Sequence, residues 1–370
     1  MYLRVESRYH GCRIAEYQFK GHRLIVLENR LLRAAVLATK GADILELRYK
    51  PLDLDVLWHP PENINIFPPG QFIASTPLDW PAVGLHRGNL LDFLVAGWFE
   101  SLPNGDFPCV YRGAQLGQHG EVALLPWDVE VLTDTVDEIA VRFSVRTQRT
   151  PFLLERTMTL RGDEPVLYLD GRLVNTGAVD MAYSWGHHPG FGPPFVEEGC
   201  RIDLPPCTMW TMPLSDRRYP DNNRFPRETE APWPWFTRAD GSRVSVAEIP
   251  SPSVKTNDVV AYRDLSAGWG AVRNPRLPLG VGLRWDLDVF PYAWSWISYN
   301  GSQDWPYWGN MTIVTIQPFS MPHMSLPEAD KRGLAPHLGA GQSIRGSLAA
   351  VFFTENAQVI GFEGNQPLFK

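Results

Sequence analysis

The sequence predicts an all-β protein built as a large β-sandwich, and three observations support this fold class. Apolar and polar side chains alternate along several segments, most clearly over residues 139–145, 154–160 and 167–173. A period of two marks strands that bury one face. Turn-forming residues separate these segments, as in RGDEP at 161–165. The sequence shows no amphipathic helix of three turns or more, and only Pro327 to Gly333 predicts a short helical turn.

The same patterns place the strands in order along the chain. They are predicted near residues 23–28, 31–38, 42–49, 120–133, 138–148, 153–161, 165–175, 180–187, 243–249, 258–264, 269–274, 279–288, 292–299, 311–317 and 346–353. So many strands exceed an immunoglobulin-sized sandwich and require two large sheets. Because no repeat of 20–50 residues is present, a propeller or solenoid is not expected.

Two proline-rich segments, 50–82 and 205–236, are predicted to be long loops. Loops of this length inside a compact domain are more often functional than linkers. They also carry much of the tryptophan and proline, which a flexible tether would lack. We therefore predict a single domain over residues 1–370.

Composition excludes several classes of protein. The chain has 370 residues, of which 44% are hydrophobic, so it can bury a large core and is not disordered. A net charge of -7 without a Lys/Arg block argues against a nucleic-acid partner. No run of about 18 apolar residues occurs, so we expect no membrane partner.

The cysteines and the first residues bear on the cellular compartment. The start of the sequence scatters charged residues where a signal peptide needs an apolar stretch. None of the four cysteines (Cys12, Cys109, Cys200 and Cys207) forms a CxxC pair. We therefore expect reduced thiols in a cytoplasmic protein, although the spacing leaves a disulfide between Cys200 and Cys207 open.

Histidines at sharp corners are the first candidates for chemistry. His187 and His188 lie where an alternating strand runs into Pro189 and Gly190, and His119 precedes Gly120 just before another predicted strand. Because neighbouring strand residues point to opposite faces, only one of His187 and His188 can enter a given site. Each could instead be a structural histidine with its hydrogen bonds satisfied.

Metal and cofactor sites are not predicted. The sequence has no HxH pair on one strand, no HExxH and no Cys/His cluster. We expect neither a metal nor a cofactor.

Aromatic residues and carboxylates supply further candidates. The stretch from Trp285 to Trp308 is dense in tryptophan and tyrosine, whose flat apolar faces and single polar group suit a sugar ring. Trp294 and Trp296 share a strand face and are predicted to lie in the core. Asp258 opens a predicted strand, but the sequence does not reveal which carboxylate is buried.

Several motifs together resemble the aldose 1-epimerase (galactose mutarotase-like) superfamily. They appear in the family's order over about residues 20 to 355: QHGEVALLPWDVE at 118–130, NTG at 175–177, WGHHP at 185–189, the segment 283–298, and TIQP at 315–318. The resemblance implies a galactose mutarotase-like supersandwich with a carbohydrate site on the concave face of one sheet.

The resemblance also implies roles for individual residues. His119 and His188 would face the anomeric carbon, His119 stabilising the substrate and His188 acting as general acid toward the ring oxygen. The Glu that removes the proton from the anomeric hydroxyl corresponds to Gln317, which can hydrogen-bond a hydroxyl but cannot act as a base. Asp258 or Glu121 could supply a carboxylate instead, or one of the two histidines could act as base.

Other residues are predicted to bind the substrate. An arginine common near the site of such proteins corresponds to Arg87. The predicted substrate-binding set is therefore Gln317, Arg87, Asp258, His187 and Trp285, with His119 and His188 catalytic.

We thus expect a carbohydrate-active isomerase of the aldose 1-epimerase type with a small-molecule carbohydrate as its partner. The alternative, motivated by Gln317, is a carbohydrate-binding protein or an enzyme with different glycoside chemistry. A purely structural sandwich is a third possibility. The sequence does not identify the sugar, its phosphorylation state or the oligomeric state.

Overall fold

A computed structural model describes residues 8–19, 21–60, 90–93, 97–211, 223–304 and 306–370. In the first half of these residues the strands are β1 (Arg13–Phe19), β2 (His22–Glu28), β3 (Leu32–Leu37), β4 (Asp43–Tyr49), β5 (Leu54–Asp55), β6 (Trp98–Ser101), β7 (Cys109–Tyr111), β8 (Ala114–Leu116), β9 (Asp128–Asp134), β10 (Glu138–Arg146), β11 (Phe152–Arg161), β12 (Val166–Asn175), β13 (Met181–Ala182) and β14 (Gly186–Phe191).

The second half continues the all-β pattern. Its strands are β15 (Arg201–Asp203), β16 (Thr208–Thr211), β17 (Glu230–Pro232), β18 (Trp235–Thr237), β19 (Arg243–Ser245), β20 (Thr256–Arg263), β21 (Trp269–Asn274), β22 (Leu279–Trp285), β23 (Tyr292–Tyr299), β24 (Thr312–Thr315), β25 (Gln317–Phe319), β26 (His337–Leu338), β27 (Ser343–Phe353), β28 (Val359–Glu363) and β29 (Gln366–Phe369). One short helix, α1, spans Leu326–Lys331, and 3-10 turns lie at Lys50–Leu52, Leu90–Phe93 and Pro252–Val254.

Two large antiparallel sheets dominate the described residues. The large sheet has 13 strands in the order β1-β2-β3-β4-β6-β14-β24-β23-β20-β16-β17, with β25 between β14 and β23 and β5 beside β4. The small sheet has eight strands in the order β15-β21-β22-β27-β12-β11-β10-β9. Four two-stranded sheets (β13-β26, β18-β19, β28-β29 and β7-β8) complete the fold. The predicted all-β sandwich is confirmed; that residues 1–370 form a single domain stays a prediction.

The two sheets pack their inner faces against each other to form the main core. Side chains from the small sheet, such as Phe143 and Leu154, share one apolar cluster with Trp98 and Phe191 of the large sheet. Alternation along each strand selects these residues, because every second side chain points inward. All are fully buried, and burial of apolar surface of this extent is the main stabilising contribution to the fold.

The opposite, outer face of the large sheet carries a second apolar cluster. Val259 and Ala261 of β20 contribute to it, together with Trp294 of β23 and Phe319 of β25. The Trp294 and Phe319 rings stack with centroids 3.5 Å apart. Trp296 packs against the same cluster, so the predicted shared face of Trp294 and Trp296 is correct, but it is the outer face rather than the inter-sheet core.

Most predicted strands are present in the structure. The predictions at 23–28, 31–38, 42–49, 138–148, 153–161, 165–175, 258–264, 269–274 and 292–299 match β2, β3, β4, β10, β11, β12, β20, β21 and β23 to within two residues. The prediction at 180–187 is partly wrong, since the segment contains β13 and only the start of β14. The prediction at 120–133 is wrong over its first half, since a strand begins only at Asp128. The preceding residues turn sharply instead, and the backbone N–H of Leu124 bonds to the carbonyl of Glu121.

The structure can be compared with both segments that are predicted to be long loops, 205–236 and 50–82. The segment 205–236 contains the strands β16, β17 and β18, so its prediction as a loop is partly wrong. Short edge strands with proline at or beside them give little alternating signal. The other predicted loop contains a 3-10 turn and β5 in residues 50–60, and its residues 61–82 lie outside the described residues. All four cysteines are free, so Cys200 and Cys207 are not joined.

In the described part of the chain, no helix is long and apolar enough to cross a membrane.

A buried ion pair joins the two sheets across the core. Arg156 of β11 and Glu100 of β6 are both fully buried, with Nη1 and Oε2 3.4 Å apart, and Arg156 also donates to the carbonyl of Ala42 at 2.6 Å. The guanidinium lies over the rings of Trp127 and Phe143. Because both charges are desolvated, each depends on the other for compensation.

We predict that Arg156→Met destabilises the fold by about 3–5 kcal/mol, since it leaves the Glu100 carboxylate buried without its partner. Arg172→Met is the matched control, because Arg172 pairs with Glu155 on the half-exposed face of the same sheet, at a cost of about 0–1 kcal/mol. Urea unfolding of both variants tests this, and equal losses in the two would contradict it.

Candidate active site

The outer face of the large sheet aligns His188 with a row of side chains from neighbouring strands. His188 of β14 pairs with Phe99 of β6. On its other side, the pairs Gly190↔Thr315 and Gly186↔Phe319 fix the register so that His188 lies opposite Gln317. Gln317 in turn pairs with Trp294 of β23. Since cross-strand partners share a face, the row Phe99–His188–Gln317–Trp294 is presented on the outer face.

Glycines on both sides of His188 make room for this row. The position where a side chain on Gly186 would begin is occupied by the ring of Phe319, 2.3 Å away. At Gly190 the same position meets the side chain of Ile313 at 2.6 Å. In the sequence GHHPG, the imidazole of His188 therefore lies between two glycines, and side chains of neighbouring strands fill the space beside each glycine.

His119 reaches the same face from a turn that needs its glycine. His119 and Gly120 have φ values of 58° and 77°, in the left-handed region. A side chain on Gly120 would lie 2.2 Å from the carbonyl oxygen of Leu102, which no L-residue tolerates. Backbone hydrogen bonds from His119 to Gly105 and from Glu121 to Leu102 then lock the turn.

The two imidazoles lie side by side. The ring centroids of His119 and His188 are 5.1 Å apart at an angle of 82°. Phe99 contacts both rings, stacking on His188 with centroids 4.3 Å apart and meeting His119 edge-on at 5.2 Å. A hydrogen bond of 2.9 Å joins Ser101 Oγ to His119 Nδ1. His119 and His188 are 69 positions apart in the sequence, and the fold brings their rings side by side.

A carboxylate that the sequence analysis missed lies beside this pair. Asp106 Oδ1 is 3.6 Å from His119 Nε2, and Asp106 Oδ2 is 3.0 Å from His323 Nε2. The amide of Gln118 donates to Asp106 Oδ1 at 2.7 Å. Asp106 and His323 belong to no strand or helix, so no periodic pattern marked them.

Burial keeps both site histidines neutral. Desolvation is the largest cause in each case; it lowers the pKa of His119 to about 4 and that of His188 well below its usual value. The Asp106 carboxylate opposes the lowering of both pKa values, and each site histidine is also next to another imidazole that favours the neutral form. At neutral pH each of the two imidazoles therefore has one N–H donor and one acceptor nitrogen.

Gln317 is fixed by the strand that precedes it. Its Nε2 donates to Thr315 Oγ1 at 2.7 Å, and Thr315 Oγ1 also accepts the backbone N–H of Trp296 at 2.7 Å. The Trp296 indole donates to Asn257 Oδ1 at 2.6 Å. This side of the site offers amide and hydroxyl groups beside an aromatic ring, and no carboxylate at position 317.

Three buried polar atoms around the site have no hydrogen-bond partner within the described residues. They are His188 Nδ1, Trp294 Nε1 and Gln118 Oε1. Buried polar groups are nearly always hydrogen-bonded, so such atoms require an explanation. A polar small molecule with several hydroxyl groups has the chemistry to satisfy them.

Three predicted substrate-binding residues lie elsewhere. His187 points to the inter-sheet core, where its Nε2 is 3.4 Å from Glu100 Oε1. Trp285 belongs to the small sheet and donates to the carbonyl of Phe290. Asp258 shares the inner face of β20 with Val260, because its outward neighbours are Asn257 and Val259. None of the three is brought to the face that carries His119 and His188.

The carboxylates suggested as replacement bases are committed to other contacts. Asp258 accepts hydrogen bonds from the backbone N–H and the Nε of Arg224 at 2.7 and 2.6 Å. Glu121 accepts from the backbone N–H groups of Gln148 and Arg149 and from the hydroxyl of Thr150. Arg87 lies outside the described residues. Within the described residues, no group of three or more His, Cys, Asp or Glu is arranged to hold a metal ion.

We predict that the imidazoles of His119, His187 and His188 stay neutral at pH 5.5, because burial lowers all three pKa values, that of His187 to about 3. His337 is the matched control, since its bonds to Asp180 and Asp330 raise its pKa and keep it charged at this pH. Nitrogen-15 NMR of the imidazoles between pH 8 and 5 measures this. Titration of His119 near its ordinary pKa of about 6.5 would contradict the buried site.

Comparison with solved structures places the fold. A Klebsiella pneumoniae protein that carries the provisional name aldose 1-epimerase superposes with a TM-score of 0.66 at 15% identity, covering 93% of this chain and 84% of that one. A galactose mutarotase-like protein from Clostridium acetobutylicum gives 0.61 at 14%, covering 93% and 99%. A galactose mutarotase related enzyme from Lactobacillus acidophilus gives 0.56 at 17%, covering 94% and 100%. The fold is therefore the galactose mutarotase-like sandwich that the motifs implied.

Sequence comparison supplies the family. No curated protein matches the sequence. Residues 19–349 match the domain of unknown function DUF4432. Because this match spans most of the chain, the protein belongs to the DUF4432 family.

Proposed function

We propose that this protein is a carbohydrate isomerase that acts at or near the anomeric carbon of a sugar. The observation that carries the proposal is the pair of imidazoles, His119 and His188, whose ring centroids are 5.1 Å apart on the outer face of the large sheet. The names of the structurally similar proteins, aldose 1-epimerase and galactose mutarotase, support the same chemistry. The proposed partner is a small-molecule carbohydrate.

The surroundings of the pair suit a sugar. Trp296, which is half-buried, offers an aromatic face for the apolar side of a pyranose ring. The unpartnered His188 Nδ1 and Gln118 Oε1, together with the Gln317 amide, offer a donor or acceptor to hydroxyl groups.

The reaction would proceed by opening and reclosing the ring. The anomeric hydroxyl loses its proton to a base as the bond between C1 and the ring oxygen breaks, and the ring oxygen takes a proton from His188. Rotation about the C1–C2 bond and the reverse steps then give the other anomer. His119, held by Ser101, would hydrogen-bond the substrate, and the Gln317 amide would hydrogen-bond a hydroxyl without taking its proton.

A second candidate is a protein that binds a carbohydrate without isomerising it, or that carries out different chemistry on a glycoside. The observation that favours it is the amide at position 317, which cannot serve as a base. Stabilisation of the fold by a sugar without any catalysis would favour this reading, since a ligand specific for the folded state raises its stability.

We predict that the protein accelerates the exchange of anomers of at least one aldose, and that His188→Ala slows it by about 10²–10⁴-fold because a positioned proton donor is lost. Proton NMR of the anomeric signals across a panel of aldoses measures the rate. His337→Ala is the matched control, because His337 is exposed and lies outside the site; this variant should retain the native rate. No acceleration with any aldose would overturn the proposal.

We predict that kcat/KM rises as the pH falls from 8 to 6, by up to about tenfold per unit, once the uncatalysed rate is subtracted. The reason is that the general acid must carry a proton, and His188, which faces His119 and Asp106, has a pKa well below its usual value. A rate that is constant or falls over this range would show that His188 does not act as an acid.

A further inference from the structure

We infer that Asp106 is the general base that takes the proton of the anomeric hydroxyl, the role that Gln317 cannot fill. This inference deepens the proposed function and rests on it. Its starting point is the placement of a buried carboxylate 3.6 Å from the Nε2 of His119.

The loop that carries Asp106 is held in place from several directions. The Asn104 side chain donates to the carbonyls of Phe107 and Gly117, and its oxygen accepts the backbone N–H of Leu326 at the start of α1. Gly105 accepts the backbone N–H of His119 at 2.6 Å. The turns that carry Asp106 and His119 are thus tied to each other, which fixes the distance between the two side chains.

Hydrogen-bond donors orient both oxygens of the carboxylate. Gln118 donates to Oδ1 at 2.7 Å and His323 Nε2 lies 3.0 Å from Oδ2. The His323 ring is itself fixed, because it packs edge-on against Trp294 with centroids 4.6 Å apart and against Phe107 at 5.0 Å. Trp294 belongs to the row that contains His188 and Gln317. Asp106 therefore contacts this row through the His323 ring.

The hydrogen bonding of His119 is consistent with this role. A carboxylate only accepts, so the tautomer with its proton on Nε2 faces Asp106, and the Ser101 hydroxyl donates to Nδ1. The 3.6 Å between His119 Nε2 and Asp106 Oδ1 is longer than a hydrogen bond. A carboxylate oxygen can accept more than one hydrogen bond, so the bond from Gln118 does not prevent Oδ1 from accepting one from a hydroxyl.

Other buried carboxylates near the site face residues other than the two site imidazoles. Among the described residues, Glu100 is on the inner face with Arg156, Asp258 is held by Arg224, and Glu121 is held by the turn at 148–150. Asp106 is the buried carboxylate whose neighbours include a site imidazole. Its charge acts on both His119 and His188, where it opposes the lowering of their pKa values by burial.

The proton and electron balance follows from this placement. Asp106 takes the proton from O1, the C1=O double bond forms, the bond between C1 and the ring oxygen breaks, and its electron pair takes the proton from His188. On reclosure each proton returns, so one base and one acid are regenerated in every turnover.

The test compares three variants, Asp106→Asn, Asp106→Gly and Asp106→Asn/Gln317→Glu, with the native protein, using the aldose that the native protein interconverts fastest. Added formate should raise the rate of Asp106→Gly by supplying the missing carboxylate. Asp106→Asn should lower kcat by about 10²–10⁴-fold with KM changed less than fivefold. Asp106→Asn/Gln317→Glu, which places a carboxylate on β25 beside the strand that carries His188, should recover at least tenfold in kcat over Asp106→Asn. The matched control is Asp330→Asn, because Asp330 bonds His337 on an exposed surface and should keep the native rate. Thermal unfolding confirms that each variant is folded.

The possible outcomes distinguish a failure of the role inferred for Asp106 from a failure of the proposed isomerase activity. An active native protein whose Asp106→Asn variant keeps kcat within threefold would overturn the role of Asp106 and leave the isomerase intact. The role of Asp106 would also be overturned if Asp106→Asn is slow, Asp106→Asn/Gln317→Glu is no faster, and formate does not raise the rate of Asp106→Gly. Only a structural role would then remain. A native protein that accelerates no aldose would overturn the isomerase itself and the base with it.

Discussion

The structure of the candidate site depends on the register of one strand. β14 pairs with β6 on one side and with β24 and β25 on the other, and this pairing decides which of two consecutive histidines faces outward. A shift of one residue would exchange His188 for His187 and bury the wrong ring between the sheets. Glycines at 186 and 190 reinforce the register, because only they leave space for Phe319 and Ile313 on the same face.

This register places the adjacent imidazoles of His187 and His188 in two different environments. His187 lies near the ion pair of Arg156 and Glu100 in the inter-sheet core, where its surroundings are structural. His188 lies on the outer face with a second imidazole, that of His119, beside it. In the described part of the chain, an unpartnered Nδ1 is common to His187 and His188 and does not separate them. Both are buried and neutral, so burial alone does not distinguish a functional histidine from a structural one; the neighbours of each ring do.

The features that the sequence predicts are those set by local patterns, namely the positions of many strands and which side chains of a strand share a face. Alternation identifies β10, β11 and β12 of the small sheet. Strand geometry requires that the side chains of His187 and His188 point to opposite faces and that those of Trp294 and Trp296 share a face. Which face each residue occupies depends on contacts with distant strands, and local sequence does not contain them. The corner at His119 was recognisable from its glycine and its place in a family motif.

The parts that sequence reasoning missed are held by long-range contacts. Asp106 is in an irregular loop fixed by Asn104, which bonds to a residue more than 200 positions away. The sequence suggested two other carboxylates, Asp258 and Glu121. In the structure Asp258 pairs with Arg224, and Glu121 accepts hydrogen bonds from the turn at 148–150. Asp106 differs from them in the site imidazole beside it, and the fold alone determines which groups lie beside each carboxylate.

The central claim is that the outer face of the large sheet seats a sugar with its anomeric centre between His119 and His188. A crystal structure of the protein with a bound aldopyranose tests this most directly. We expect the ring oxygen within about 2.6–3.2 Å of a His188 ring nitrogen and the C1 hydroxyl on the side of Asp106. A sugar bound with its anomeric carbon away from both imidazoles would contradict the account.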